Sequence, residues 1–178
     1  MSLRENEEKD ERSECMIYMT GDTHGDFERI KDFSDRFHTK KTDIMIILGD
    51  AGINFSGFLY DQAKKEYLQS LPITVLAVHG NHEMRPASIP SYLQKKWRGG
   101  IIYYEEKYPN ILFAKDGEVY QLNGKRVMAI GGAYSVDKMY RIAYGYGWWP
   151  DEQPSEEIKA YVEAQLERMN WKVDVVLS

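Results

Sequence analysis

Asp43-Ile44-Met45-Ile46-Ile47-Leu48-Gly49-Asp50 is the stretch that decides the fold. Five consecutive apolar residues, three of them β-branched, are too few for a stable helix and too apolar for an exposed strand. The run reads as a strand buried on both faces, which belongs in a covered parallel sheet. Two further stretches repeat the design. Cys15 to Thr20 is apolar and ends at Gly21-Asp22, and Ile73 to Val78 ends just before Gly80-Asn81. Between the strands, Phe27, Ile30, Phe33 and Phe37 recur near the helical period and predict a helix over 27–37. A second helix is expected from Leu59 to Leu71, stopped by Pro72. Strand–loop–helix passages of this kind predict an α/β fold with right-handed crossovers. In such sheets the loops at the carboxyl ends of the strands converge on one crevice, so residues near 22, 50 and 81 should meet.

The texture changes further on. Ile101 to Tyr104, Ile111 to Ala114, Glu118 to Leu122 and Arg126 to Ile130 read as short strands, with hairpin turns expected at Asp116-Gly117 and Asn123-Gly124. Gly131 to Asp151 reads as a long loop rich in Gly, Tyr and Trp. A helix should start at Ser155, with Glu156 and Glu157 in its first turn, where negative charge is favourable. Val173 to Leu177 is expected to be a last buried strand.

Composition bounds the function. The chain has 178 residues, one ordinary domain, with a net charge of −5 that argues against a general nucleic-acid or anionic-membrane coat. Cys15 is the only cysteine, which excludes an internal disulfide and a cysteine-cluster zinc site. No apolar stretch is long enough to span a membrane or to act as a secretory signal, so a cytoplasmic protein is expected. Residues 1–14 carry three basic and six acidic side chains with no apolar period, and read as a solvated tail ahead of a domain over 15–178.

Chemistry concentrates in three loops: Gly21-Asp22-Thr23-His24-Gly25, Gly49-Asp50-Ala51-Gly52 and Gly80-Asn81-His82-Glu83. Each follows a predicted buried strand. Two carboxylates, an amide and two imidazoles without a thiolate suit Mn, Fe, Zn or Mg. Asp22 and His24 are two apart and share one face of an extended segment. A central carboxylate such as Asp50 can bridge two cations, and paired cations clamp phosphoryl oxygens. A lone Gly-Asp after a strand is ordinarily a turn. Three such loops in succession, 28 and 31 residues apart at positions 22, 50 and 81, carry the signal together.

These three blocks resemble the calcineurin-like metallophosphoesterase superfamily in order and spacing, over roughly Cys15 to the end. The resemblance implies a four-layer α/β/β/α sandwich with mixed sheets and a dinuclear site at the strand ends, with two divalent ions, manganese foremost. It implies that Asp22 and His24 bind one ion, Asp50 bridges and Asn81 binds the other. His82 would bind no metal but stand near the leaving-group oxygen as a general acid or electrostatic stabiliser, and a metal-bound hydroxide would attack phosphorus. Phosphomonoesters, cyclic or linear diesters, dinucleotide polyphosphates and phosphoproteins would all suit such a core, so phosphatase and phosphodiesterase activity are both open.

The sequence departs from the family pattern in two places. The position three after the bridging Asp, acidic in many members, is Ile53, and the loop Gly52-Ile53-Asn54-Phe55 lacks the Arg that many protein phosphatases place just beyond it. No His occurs after His82, so the family's later lone His and Gly-His-x-His are missing. The expectation is a chain truncated at its C-terminus, lacking the last strands, with each ion short of the three protein ligands usual at a catalytic zinc. A second reading is a non-catalytic scaffold of the same fold that binds a protein or nucleic-acid partner.

For the substrate side, Arg85 and Arg141 are the cations best suited to a phosphate, because a guanidinium meets its oxygens in a bidentate way. Tyr140, Tyr144, Tyr146, Trp148 and Trp149 could stack a nucleotide or nucleic-acid base, or simply pack among themselves. No membrane partner is expected, and no motif specifies an oligomeric state.

Overall fold

Alternation along each strand decides which core a residue joins. The computed structural model describes residues 15–55 and 58–178, so the tail expected over 1–14 lies outside the described residues. In chain order the elements are β1 (Ile17–Thr20), α1 (Glu28–Phe37), β2 (Ile44–Leu48), α2 (Phe58–Ser70), β3 (Thr74–Val78), β4 (Leu93–Trp97), β5 (Gly100–Tyr104), β6 (Ile111–Ala114), β7 (Val119–Leu122), β8 (Lys125–Ala129), α3 (Lys138–Tyr144), α4 (Glu156–Arg168) and β9 (Val175–Leu177). Six strands form one sheet in the order β1-β2-β3-β6-β5-β4, and three form another in the order β7-β8-β9.

Strands β1, β2, β3 and β6 run parallel, with Ile46 of β2 paired to Met19 on one side and Leu76 on the other. Met45 and Ile47 face the core that Phe27, Ile30, Leu68 and Leu71 build beneath the two helices. Ile44 and Ile46 face the opposite core, where Tyr120, Leu122, Val127 and Ala129 of the second sheet meet the first. A helix layer, a sheet and a second sheet are thus stacked, with α4 making the crossover between the parallel strands β8 and β9. Each fully buried Ile contributes about 1.5–3 kcal/mol, so a polar substitution in β2 disturbs two cores at once.

Helix α1 ends where His38 takes a left-handed conformation (φ 51°) and its N–H closes onto Ser34 O. Ser155 caps α4, accepting from the Ile158 N–H, ahead of Glu156 and Glu157. The mixed α/β architecture with two sheets is as expected. No helix of the described residues is long and apolar enough to cross a membrane.

Four local expectations are corrected. Strand β1, read as buried, is an edge strand with no buried residue, and its Met19 is 59% exposed. Asp116-Gly117 is not a hairpin: β6 and β7 lie in different sheets, and the turn carries the chain from one to the other. Asn123-Gly124 is a true two-residue hairpin, with φ of 45° and 75°. The long loop of 131–151 contains a helix, α3, none of whose residues is buried. Strand β9 is an exposed edge, with only Leu177 buried. Strand β4 was not anticipated. Its Leu-Gln-Lys-Lys-Trp sequence is that of an edge strand, where lysines discourage pairing with another chain.

Candidate metal centre

Because β1, β2 and β3 run parallel, the segments 21–25, 49–54 and 79–83 leave the sheet at the same end. Backbone hydrogen bonds stitch them together. The N–H groups of Thr23 and His24 donate to Asp50 O, and Gly25 N donates to Ala51 O. Glycine is required where the loops touch. A Cβ on Gly80 would lie 2.0 Å from Asp50 Oδ1, and one on Gly52 would lie 2.4 Å from Gly25 N. His24 and Asp50 both hold positive φ, 47° and 38°. Such left-handed conformations are costly for side chains of this size and persist only where their surroundings enforce them.

Glu83 does part of that enforcing. Its carboxylate is fully buried and accepts from the backbone N–H groups of Ala51, Gly52 and Gly80. Burial pushes its pKa up to about 7, against the pull of the Gly80 and Ala51 N–H groups. One side chain therefore ties the second loop to the third.

On this frame His24, Asp50 and His82 each bring a ligand atom within 4.8 Å of the others. The imidazole rings of His24 and His82 are 5.8 Å apart, and Asp22 Oδ2 lies 3.8 Å from His24 Nε2. Asp50 Oδ1 accepts from His82 N at 2.8 Å, while Oδ2 is 3.2 Å from His82 Nδ1. Asn81 sits beside them, its Nδ2 donating to Ser135 Oγ at 2.9 Å. That hydroxyl donates to Glu152 Oε2 at 2.5 Å, which also accepts from Trp148 Nε1. With Nδ2 so occupied, the Asn81 oxygen is the amide atom left for a cation.

Imidazole and carboxylate in this arrangement are a fitting donor set for one divalent ion of the Mn, Fe or Zn kind. His24, Asp50 and His82 are the single group of three or more such donors among the described residues. Ile53 is a fully buried core residue and offers no carboxylate to His82. Asp50 itself stands against His82 Nδ1.

The two arginines are placed differently from expectation. Arg85 is turned inward and only 7% exposed; its guanidinium donates to Asp116, Gly131 O and Asp151 O. These bonds take three of its five N–H donors. Arg141 lies nearer the centre, but donates to Asp137 at 2.8 Å and to Gly147 O. Asp137 in turn has its pKa lowered, chiefly by the Arg141 hydrogen bond and in small part by His82.

His79, one residue ahead of the third loop, is buried with neither ring nitrogen hydrogen-bonded, and burial lowers its pKa to about 3. The cleft of about 250 Å³ beside His24 and His82 is completed by Gly52, Phe55 and Lys64. Neither Lys64 nor the Ser135–Glu152 pair was anticipated. A mid-helix lysine carries no sequence signal, although Ser135 lies in a stretch that follows a strand.

A family model described as calcineurin-like phosphoesterase matches residues 16–177. Among solved structures, the crystal structure of the protein of unknown function AQ665 from Aquifex aeolicus is 16% identical, with a TM-score of 0.42, over 91% of this chain and 76% of that one. No curated protein matches the chain.

Proposed function

Because the chain belongs to the calcineurin-like phosphoesterase family, we propose that it hydrolyses phosphate esters with the help of divalent metal at the Asp50 centre. The observation that carries the reading is the convergence of His24, Asp50 and His82 within 4.8 Å at the ends of three parallel strands. Asp22, His24 and Asp50 would hold the first ion, and Asp50 with Asn81 a second. A divalent cation there would supply Lewis acidity and a water of lowered pKa. Manganese is the first metal to test.

The side chains have separable tasks. Asp50 keeps one oxygen on the His82 backbone and the other against His82 Nδ1, which leaves Nε2 to give a proton to the departing oxygen. The Ser135–Glu152 pair holds the Asn81 amide in one orientation, the service an outer-shell partner renders to a ligand. Tyr140 packs tilted against Tyr144 and stacked on Tyr146, at centroid distances of 4.5 and 5.7 Å. Their exposed rings offer a surface on which the base of a nucleotide could stack.

The test is hydrolysis of p-nitrophenyl phosphate and its bis-ester with added manganese, together with calorimetric metal binding. Turnover that falls at least about a hundredfold in His82→Ala, the scale of a general acid, supports the reading. Metal-free behaviour with no turnover of either ester contradicts it and favours the non-catalytic scaffold.

A further inference from the structure

Of the cations that touch the loops, Arg85 and Arg141 have carboxylate partners. Arg29, which donates to the Gly21 and Asp22 carbonyls, and Lys64 have no ion pair among the described residues; of these two, Lys64 lines the cleft. Arg85 pairs with Asp116 and Arg141 with Asp137. Lys64, in the middle of α2, is absent from the ion pairs of the described residues; its ammonium donates to a backbone carbonyl, Gly52 O, at 3.2 Å. Backbone carbonyls do not cancel a charge, and two of the three ammonium protons remain for another acceptor.

The lysine side chain passes close to the first loop and is anchored on the second. A Cβ on Gly25 would lie 2.4 Å from Lys64 Nζ and 2.6 Å from its Cε, so glycine at 25 clears the path of the lysine. Gly52 supplies the carbonyl that anchors it. The side chain then lines the same cleft as His24 and His82, with Phe55 as the apolar wall, held edge-on against Trp149 at 5.5 Å.

We infer that Lys64 is the residue that binds a phosphate oxygen of the substrate, and that it makes the site selective for phosphomonoester dianions over diester monoanions. This assignment rests on the hydrolase reading of the centre. A monoester phosphate carries about two negative charges at pH 7, whereas a diester carries one. Asp22 and Asp50 already place two negative charges at the centre. Two divalent ions would outweigh those charges, and the Lys64 ammonium adds one more positive charge, which attracts a dianion about twice as strongly as a monoanion in the same position. Phe55 gives the esterified group an apolar surface to lie on.

The experiment measures orthophosphate binding by calorimetry with manganese present, in the parent chain, Lys64→Met, Lys64→Arg and Arg141→Met. It also measures kcat/KM for p-nitrophenyl phosphate and for bis-p-nitrophenyl phosphate. Lys64→Met should weaken orthophosphate binding about tenfold and cut monoester kcat/KM by a similar factor, while diester turnover changes less than about threefold. Lys64→Arg should recover most of the loss, and manganese affinity and the melting temperature should stay near the parent's. Orthophosphate affinity within twofold of the parent in Lys64→Met, with a tenfold loss in Arg141→Met, overturns the assignment and leaves hydrolysis intact. Equal losses on monoester and diester overturn the selectivity. A parent chain that neither binds orthophosphate nor turns over either ester overturns the hydrolase reading and this assignment with it.

Discussion

Two regions border the cleft and are built on opposite plans. The loops at 21–25, 49–54 and 79–83 are held by backbone contacts: cross-loop N–H···O bonds, a buried carboxylate and glycines with no room for a Cβ. The stretch 131–151 is held mainly by side chains. Its helix α3 has no buried residue, and Val136, Met139 and Tyr144 are among its exposed apolar side chains. Its start is tied in by the Gly132 N–His79 O backbone bond, and beyond that its links to the centre include the Ser135–Asn81 hydrogen bond and the Phe55–Trp149 contact. The first plan fixes donor atoms within the few tenths of an ångström that metal ligation demands. The second presents a surface that can change without disturbing the frame.

Substitutions that break this contrast differ in size. Gly80→Ala should be the most damaging, at about 3 kcal/mol, because the new methyl collides with Asp50 backbone and side chain and neither can yield. Denaturant unfolding measures it, and a loss under 1 kcal/mol would mean that the loops are looser than described. Glu83→Gln should cost about 1–3 kcal/mol, since an amide nitrogen in place of one oxygen leaves a buried backbone N–H unpaired. The parent carboxyl, with its pKa raised from 4.5 to about 7, contributes stability that is present below 4.5 and lost as pH rises through 7. The Gln variant should lack that dependence in an unfolding series across the same range.

His79 has the opposite sign. Its pKa is lowered from 6.5 to about 3 by burial and, second, by Arg85, so its contribution is present above 6.5 and lost as pH falls toward 3. The loss is at most about 1.4 kcal/mol per pH unit. His79→Leu should be within about 1 kcal/mol of the parent at pH 7, since it removes two unpartnered buried nitrogens, and flatter in acid. Smallest of all, Tyr140→Ala should change stability by less than about 0.5 kcal/mol, as expected of an exposed side chain away from the core. A change above 1 kcal/mol would show that α3 supports the frame after all.

The same contrast explains what the amino-acid sequence made legible. Parallel strands and their helices could be read because Ile44–Leu48 and its two counterparts are apolar on both faces and end in glycine, a local signature with few alternative readings. The donors at 22, 24, 50, 81 and 82 could be located because strand ends converge by topology. Direction could not be read for the cations. Arg85 turns inward because Asp116 and two carbonyls lie there, a partnership across 31 residues of sequence that no local pattern records. Lys64 reaches the cleft alongside Gly25 and donates to the Gly52 carbonyl, which requires α2 to be packed in place. Strand β4 and helix α3 were missed for a related reason, since neither buries an apolar stripe that would set a period.

Manganese binding to the parent chain and to Asp50→Asn tests the central claim most directly. Asp50 is the carboxylate shared by every ligand set considered, and asparagine keeps its shape while removing its charge. Calorimetry should find at least one manganese bound by the parent and an affinity lower by about a hundredfold or more in the variant, the loss of a ligand being at least as severe as that of its outer-shell support. No binding by the parent, or equal binding by both chains, would contradict the account.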